Sequence, residues 1–488
     1  MNKYLKFFGI TLAFCMVISG CGKKEAKTAD ENPVISWYML SNLGEIKPEI
    51  EEMVENTANE IIKKETGATL DLKLITSASW EDKIKLMAAS GDPYDLVLTS
   101  DWTNKLTSNV EKGAFLALDD LVEKHGSSIK EKVDERAWKA VTYSGKIMAV
   151  PSQGAYAPGA GFVFRKDLVE KYNIDYKNIH SLKDLEPYLE LIKKNEPDVI
   201  PLLASSTGTP GSGDANFTSI GGGLSYNEID KKIESAPRDN LKLINEFYKK
   251  GYIAKDAAVK TDFMSEAKSG KYAVLNNSGG YSEDGSKASA VYGYPCVESF
   301  ISYPYITTSV MTGSATAISR TSQNPEKAME VLNLVWKDPY LSNMIAYGPE
   351  GKNFDYISGK GTDNPKVEVY SGDKQVWGIP HNFLGPLFDQ WDSNWNSREA
   401  LEVMKKNNHE AKASDLLGFV FDTSPVKNYI AQVSAISTET KPVFQTGSMS
   451  DFDAYAADYD KRVKAAGYDK IVEEAEKQIA KWKAENKK

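Results

Sequence analysis

Residues 143–174 have the sequence YSGKIMAVPSQGAYAPGAGFVFRKDLVEKYNI, and this stretch decides the fold of the chain. A turn leads into a predicted strand over residues 146–150, which ends at Pro151 because proline has no N–H to donate to a sheet. A loop rich in Gly, Ala, Ser and Pro covers residues 152–161, and an apolar triplet at residues 162–164 opens a new strand and helix. This order predicts a chain that passes from one lobe into another.

Four motifs, taken in order, resemble a known family. G-K-x-x-A-V-P at residues 145–151 precedes R-x-D-L-x-x-K-Y-x-I at residues 165–174. GSATAISRTSQNPEKAM at residues 313–329 and YGPEGKN at residues 347–353 follow. Together they resemble sugar-type extracellular solute-binding proteins (family 1), the receptors of ABC importers. From residue 377 onward, the chain is similar to a C-terminal extension of unknown function in one lipoprotein subfamily.

The resemblance implies an α/β, two-lobe fold of the periplasmic-binding-protein type (type II), with discontinuous lobes joined by a hinge. Lobe 1 is expected to combine residues 33–150 with residues 283–345. Lobe 2 is expected to combine residues 151–282 with residues 346–488, which include the helical C-terminal extension. The length of 488 residues agrees with a division into two lobes, because a single hydrophobic core seldom grows beyond about 250–300 residues.

Side chains at strand ends are the first ligand candidates. Strand and helix patterns alternate over residues 34–98, which indicates a mainly parallel sheet, and ligands bind beyond the carboxyl ends of such strands. Asn42 follows the first predicted strand, and Asp101 and Trp102 follow the third. A carboxylate accepts hydrogen bonds from paired hydroxyls, and an indole stacks on the apolar face of a sugar. The alternatives are that Asp101 caps the next helix and that Trp102 packs at a lobe edge.

Four more residues are candidates for ligand contact. Tyr156 lies in the loop between the predicted lobes. Asn277 and Tyr281 follow a helix, glycine stop and strand that resemble an element facing the cleft in the family. Trp377 precedes Gly378, and its ring either faces the cleft or packs inside a lobe. Three other tryptophans are predicted to pack at helix contacts, the first two on one helix face, with ligand contact as the alternative: Trp391, Trp395 and Trp482.

The N-terminus predicts export and a lipid anchor. Residues 1–20 carry a positive start and an apolar run too short to span a bilayer comfortably, as in a signal peptide. The letters ISG before Cys21 resemble the lipobox of bacterial lipoproteins, which implies a lipid-modified Cys21 on the outer face of the cell membrane. The alternative is an ordinary signal peptide with a chance cysteine. Residues 21–32 are predicted to be a flexible tether, and Cys296 a lone buried apolar residue.

Composition and absent motifs narrow the function. The net charge of −9 argues against nucleic acid, whose binding needs clustered Lys and Arg. Because the four histidines show no zinc-ligand spacing and no nucleophile elbow or phosphate loop occurs, we expect no enzyme, metal or cofactor. We predict a monomeric receptor that captures a carbohydrate, an oligosaccharide in the first instance, and delivers it to ABC permease subunits. The alternatives are a receptor for a peptide or other polar solute and a surface glycan hydrolase.

Overall fold

A computed structural model describes residues 32–41, 43, 46–157, 161–206, 208–214, 216–276, 285–300 and 305–486. Their buried side chains form separate hydrophobic cores. One core gathers residues 35–157 with residues 306–384, and another gathers residues 162–297. These cores belong to two lobes made of helices and sheets, and the first lobe is discontinuous in sequence. The predicted two-lobe α/β fold is therefore confirmed. Among the described residues, no helix has both the length and the apolarity to cross a bilayer.

Lobe 1 is built on a five-stranded sheet. Its strands lie in the order Thr69–Thr76, Val34–Ser41, Leu96–Thr99, Ala315–Ile318 and Val150–Pro151. The first three are parallel, as the alternation of strands and helices predicted, and the fourth is antiparallel to both neighbours. Pro151 lies in an edge strand, a position that tolerates a missing N–H. The strand predicted over residues 146–150 is divided, since Lys146–Ile147 pairs with Thr142–Tyr143 instead.

The helices of lobe 1 begin and end at residues that favour those positions. Pro48–Thr66 begins with proline, where no N–H is needed, and ends at Gly67 with a left-handed φ of 71°. Pro325–Lys337 also begins with proline. The other helices of this lobe are Trp80–Ser90, Leu106–Glu111, Asp119–His125, Ser127–Lys132, Glu135–Ala140, Thr308–Met311, Pro339–Tyr347, His381–Leu384 and Arg398–Glu410.

A smaller sheet extends lobe 1. It contains the strands Phe354–Ser358, Lys366–Val369 and Asp392–Ser393. Trp391 and Trp395 pack around the buried ring of Tyr347, with ring centroids 6.1 and 5.8 Å from it. The prediction that the two tryptophans share one helix face is wrong, because the chain forms a short strand and turns there.

Lobe 2 is built on a four-stranded sheet. Its strands lie in the order Cys296–Glu298, Phe162–Arg165, Tyr272–Asn276 and Ile200–Leu202. The helices around it are Lys166–Tyr172, Leu182–Asn195, Asp239–Lys250, Phe263–Lys268 and Ser286–Tyr292. The side chain of Ser181 accepts a hydrogen bond from the amide of Asp184 and caps the second of these. Cys296 is buried, as predicted, but it lies in lobe 2. The predicted return to lobe 1 at residue 283 is therefore wrong, because strand Cys296–Glu298 pairs with Phe162–Arg165.

The chain after the last strand of lobe 1, from residue 415 onward, is called here the C-terminal extension. It contains three helices: Lys427–Thr446, Phe452–Ala465 and Tyr468–Glu485. The extension docks on lobe 2, where the buried amide of Asn245 donates to the carbonyls of Gly447 and Met449, both at 2.7 Å. Trp482 packs on Phe419 with ring centroids 5.9 Å apart, so its predicted packing role is confirmed.

The chain changes lobe at other positions than the sequence predicted. Tyr156 and Ala157 are buried in the lobe 1 core, so the first crossing comes after residue 157 rather than at Pro151. Residue 346 is not a crossing either, because Ala346 and Leu384 are completely buried in that same core. The reason is that helix Pro339–Tyr347 packs on helix Pro48–Thr66. The chain leaves lobe 1 for the last time between residues 411 and 419, where Leu417 still packs in the lobe 1 core and Leu416 and Phe419 join a core of the extension.

Candidate functional site

A tight turn at the carboxyl edge of the lobe 1 sheet holds two of the predicted residues. The buried hydroxyl of Ser100 accepts hydrogen bonds from the amides of Trp102 and Thr103, at 3.2 and 2.8 Å. The amide of Asp101 donates to the carbonyl of Thr312 at 3.0 Å. These bonds tie the turn to the segment before the fourth strand, so Asp101 and Trp102 are held in place.

Trp102 presents an exposed ring that is nevertheless anchored. Its indole N–H donates to the carbonyl of Gly313 at 2.8 Å, while 53% of the residue stays exposed. The ring of Phe383 lies beside it, with centroids 6.5 Å apart and planes tilted by 32°. Because the polar N–H is already paired, the exposed part of the ring offers an apolar surface on which a ligand ring can stack.

The side chain of Asp101 faces a cavity. Partial withdrawal from water raises the pKa of the Asp101 carboxyl, and the nearby positive charge of Lys105 opposes this shift. The following helix, Leu106–Glu111, has Lys105 at its N-cap position and no side-chain capping bond, so Asp101 does not cap it. The carboxylate can therefore accept hydrogen bonds from ligand hydroxyls.

The cavity beside Asp101 has a volume of about 530 Å³ and lies between the lobes. Lobe 1 lines it with Tyr143 and with residues between positions 101 and 111. Residues between positions 307 and 312 line its base, and residues 218–222 and part of residues 414–424 line the opposite side. Its volume falls in the range of small-molecule sites, about 300–1,000 Å³.

A hairpin of lobe 2 supplies part of the opposite side. Its strands are Phe217–Gly221 and Leu224–Asn227. The tip, residues 221–223, consists of three glycines with φ of 92°, 62° and 77°, in the left-handed region that favours glycine. Gly222 lies against the ring of Phe421 in the extension, since a β-carbon at Gly222 would be 2.9 Å from a ring carbon. The hairpin tip and the extension therefore pack directly on each other at the cavity.

Hydroxyl groups dominate the cavity lining. Of the 23 residues that line it in the described part of the chain, eleven are serine or threonine. Aromatic and aliphatic side chains contribute apolar surface: Tyr143, Ile220, Leu416, Phe419, Val420 and Phe421. Four lining residues carry charge, namely Asp101, Lys105, Glu111 and Asp422. This mixture can hydrogen-bond a solute with many hydroxyl groups and pack against its apolar faces.

Two predicted ligand residues are buried instead. Tyr156 is 4% exposed, and its hydroxyl donates to the carbonyl of Ser152. Trp377 is completely buried, and its indole N–H donates to the carbonyl of Ile345 at 2.8 Å. The prediction that these two side chains face the cleft is wrong, because each fills the lobe 1 core with its polar group paired internally.

Three further predicted ligand residues, Asn42, Asn277 and Tyr281, lie outside the described residues, as does the predicted lipidation site Cys21. The sequence prediction missed residues 218–222 of the hairpin, the segment near Thr308 and the extension residues near Phe421 as cavity-lining groups. The three successive glycines at residues 221–223 were the available signal for a tight tip.

Two sequence models of known families match the chain. One, described as bacterial extracellular solute-binding protein, matches residues 45–338. The other, a domain of unknown function (DUF3502), matches residues 415–484. The chain belongs to the family of bacterial extracellular solute-binding proteins.

Individual relatives are similar over nearly the whole chain. A carbohydrate ABC transporter substrate-binding protein of Streptococcus pneumoniae serotype 4 (strain ATCC BAA-334 / TIGR4) is 30% identical over 481 residues, which cover 96% of this chain and 94% of the relative. The crystal structure of the N-glycan transport solute binding protein NgtS from Streptococcus pneumoniae is 29% identical and has a TM-score of 0.80. The superposed residues cover 93% of this chain and 100% of the NgtS chain. NgtS in complex with Man5GlcNAc has the same coverage, 28% identity and a TM-score of 0.66.

Proposed function

We propose that this protein is the substrate-binding component of an ABC importer and captures a carbohydrate between its lobes. The observation that carries the proposal is the hydroxyl-rich cavity lined by Asp101, together with the anchored, exposed ring of Trp102, the next residue in the chain. The relatives support it, since one is described as a carbohydrate receptor and NgtS structures contain Man1GlcNAc and Man5GlcNAc. An oligosaccharide of mannose and N-acetylglucosamine is therefore our first candidate ligand.

Capture proceeds by closure of the lobes. The solute binds to one lobe through stacking and hydroxyl contacts, and the other lobe closes over it and excludes water. The closed form then contacts the permease subunits, and the solute is passed on unaltered. The two lobes of one monomer suffice for this mechanism, which requires no chemistry on the ligand.

The protein works outside the cytoplasm, and we place it on the outer face of the cell membrane through a lipid on Cys21. The ISG-Cys order supports this, together with the polar residues that follow. Mass spectrometry of the N-terminal peptide of the mature protein is expected to find a diacylglyceryl group on Cys21. A Cys21→Ser variant released from the membrane would agree, and an unmodified mature N-terminus elsewhere would contradict the anchor.

Isothermal titration calorimetry with a defined panel tests the ligand class. The panel contains Man1GlcNAc, Man5GlcNAc, a maltooligosaccharide and a mixture of short peptides. We expect a saccharide to bind and to be recovered intact, as judged by mass spectrometry after prolonged incubation. Binding of peptides alone would favour the polar-solute receptor, and cleavage of the glycan would favour the hydrolase.

Replacement of Trp102 tests the site itself. We expect Trp102→Ala to weaken saccharide binding by about twofold to tenfold, since one lost stacking contact is worth about 0.5–1.5 kcal/mol. The melting temperature without ligand should change little because the ring is half exposed. The matched control is Tyr340→Ala, an exposed aromatic of lobe 1 whose ring packs beside Trp391 rather than following Asp101 in the chain, and it should keep full affinity. Equal affinities of the two variants would exclude Trp102 from the site.

A further inference from the structure

We propose that the C-terminal domain contributes one side of the carbohydrate site and selects against anionic sugars. The domain matched over residues 415–484 has no function in its family description. Its residues at the cavity, Leu416 and residues 419–424, are called here the extension wall. The inference rests on the proposed function and deepens it, because it assigns to this wall the binding of an uncharged sugar residue.

The start of the extension wall is fixed by the segment at the base of the cavity. The hydroxyl of Thr308 donates to the carbonyl of Leu416 at 3.3 Å and accepts from the amide of Gly418 at 2.8 Å. Next to it, the amide of Asp415 donates to the buried carboxylate of Glu228 in lobe 2 at 3.4 Å. The wall is therefore bonded both to the cavity base and to lobe 2.

The far end of the wall is fixed by the last helix of the chain. The side-chain amide of Gln478 accepts from the amide of Asp422 and donates to its carbonyl, both at 2.9 Å. Phe419 packs edge-on against Trp482 of the same helix. Because these bonds hold the wall in place without a ligand, little ordering entropy is lost when a sugar binds to it.

Contact with the hairpin tip positions the aromatic part of the wall. Phe421 is 6% exposed and packs against Gly222, where there is no room for a β-carbon. Added volume at Gly222 must displace either the Phe421 ring or the hairpin tip, and both line the cavity. The neighbouring Gly223 has a similar φ of 77°, but a β-carbon there would meet nothing within 4 Å.

The charges around the cavity favour neutral ligands. Asp422 of the wall faces the same space as Asp101 and Glu111 of lobe 1, and Lys105 is the one cationic residue among the described lining residues. Three carboxylates against one ammonium give a negative potential in a partly desolvated space, where charges interact more strongly than in bulk water. A phosphate or carboxylate on the sugar is repelled, whereas its hydroxyls find serine and threonine partners.

Affinity measurements with matched glycine variants test the wall as a contact surface. With Man5GlcNAc as the probe, we expect Gly222→Ala to weaken binding about tenfold. Gly223 lies in the same tip but does not belong to the described cavity lining, and a β-carbon there collides with nothing. Gly223→Ala should therefore keep the affinity of the unmodified protein while it carries similar backbone strain. Circular dichroism and melting temperature verify that both variants fold.

Charge selection is tested with Man5GlcNAc and the same glycan carrying one mannose 6-phosphate. We expect the unmodified protein to bind the phosphorylated glycan about tenfold more weakly than the neutral one. In Asp422→Asn, this ratio of the two affinities should become about threefold smaller. Asp422→Asn keeps the oxygen that accepts from the amide of Ser424, so its fold is preserved. Asp453→Asn, in the same domain but outside the cavity lining, should leave the ratio unchanged.

The possible results separate the two proposals. If no saccharide of the panel binds the unmodified protein, the proposed function fails, and this inference fails with it. If a saccharide binds while Gly222→Ala equals Gly223→Ala and Asp422→Asn leaves the ratio unchanged, only the role of the wall is overturned. If Gly222→Ala does not fold, the ratio of the affinities of Asp422→Asn for the neutral and phosphorylated glycans decides whether the wall takes part in ligand binding.

Discussion

Trp102 and Trp377 show how one residue type takes two roles. In both, the indole N–H donates to a backbone carbonyl at 2.8 Å, that of Gly313 or of Ile345. Burial differs, because Trp102 is 53% exposed and Trp377 is completely buried. Once its N–H is paired, an exposed indole costs the fold little and remains available for stacking. Exposure, and not residue type or neighbouring letters, distinguishes the ligand candidate from the core residue.

A buried polar pair in lobe 1, Asn343 and His381, predicts a pH-dependent stability. The side-chain oxygen of Asn343 accepts from the amide of Trp391 at 2.9 Å and from Nε2 of His381 at 3.0 Å. An amide oxygen can only accept, so Nε2 of His381 carries the proton. Burial lowers the pKa of His381 to about 3 from its ordinary 6.5, and the imidazole is neutral in the folded protein.

We predict that His381 makes lobe 1 less stable as the pH falls below 6.5. Between pH 6.5 and about 3, the imidazole takes up a proton in the unfolded chain but not in the folded one. The free energy of unfolding therefore decreases as the pH is lowered, by about 2 kcal/mol between pH 8 and pH 5. Urea denaturation at these pH values should show a flatter profile for His381→Gln. His409→Gln, at an exposed site, controls for the loss of a histidine, and parallel profiles for His381→Gln and the unmodified protein would contradict the prediction.

At the scale of elements, helix ends show which contacts a glycine permits. Helices Pro48–Thr66 and Lys427–Thr446 both end at a glycine in the left-handed region, Gly67 with φ of 71° and Gly447 with φ of 67°. A β-carbon at Gly67 would meet nothing within 4 Å, whereas one at Gly447 would lie 2.6 Å from the backbone of Asn245. Gly447 therefore serves both the turn and the docking of the extension on lobe 2.

We predict that Gly447→Ala loosens the extension and that Gly67→Ala does not loosen its own helix. Gly67→Ala should cost about 1 kcal/mol, the strain of a non-glycine residue in this region. Gly447→Ala should cost about 3 kcal/mol, because the backbone of Asn245 must also move. Hydrogen exchange should then accelerate in helices Lys427–Thr446 and Phe452–Ala465 of Gly447→Ala only. Equal exchange in the two variants would show that the close approach carries no docking energy.

At the scale of the whole molecule, the comparison with NgtS supports a change in lobe arrangement. The TM-score is 0.80 against the NgtS structure and 0.69 and 0.66 against its complexes with Man1GlcNAc and Man5GlcNAc. The sequence identity is 28–29% in all three comparisons, so divergence of sequence does not account for the difference. We interpret the lower TM-scores of the complexes as a different arrangement of the lobes, which is the movement that the proposed closure needs.

We predict that a bound saccharide makes this protein more compact. A compact chain of 488 residues has a radius of gyration of about 23 Å, and two separated lobes exceed this value. Small-angle X-ray scattering should give a radius that decreases toward that value when Man5GlcNAc is added. Trp102→Ala at the same glycan concentration should keep the larger radius. A radius that stays constant at saturating glycan would rule out closure.

The sequence by itself determined the local elements and the family. Pro48 and Gly67 mark the ends of a helix, alternating apolar residues mark the strands, and strand ends predict where Asp101 and Trp102 lie. These signals depend on neighbours within a few residues, where backbone sterics and hydrogen bonding act directly. The ordered motifs at residues 145–174 and 313–353 likewise needed no structure to indicate a two-lobe receptor.

Only the tertiary structure decided which lobe each segment joins and what surrounds the cavity. Nothing local to Trp377 distinguishes a ring facing a cleft from one in a core, because burial depends on residues far away in the chain. Residues 346–411 stay in lobe 1 because helix Pro339–Tyr347 packs on a helix almost 300 positions earlier. Phe421 reaches the cavity because the extension folds back onto the lobe 2 hairpin. Such contacts are set by the free energy of assembling whole elements, which no short window of sequence contains.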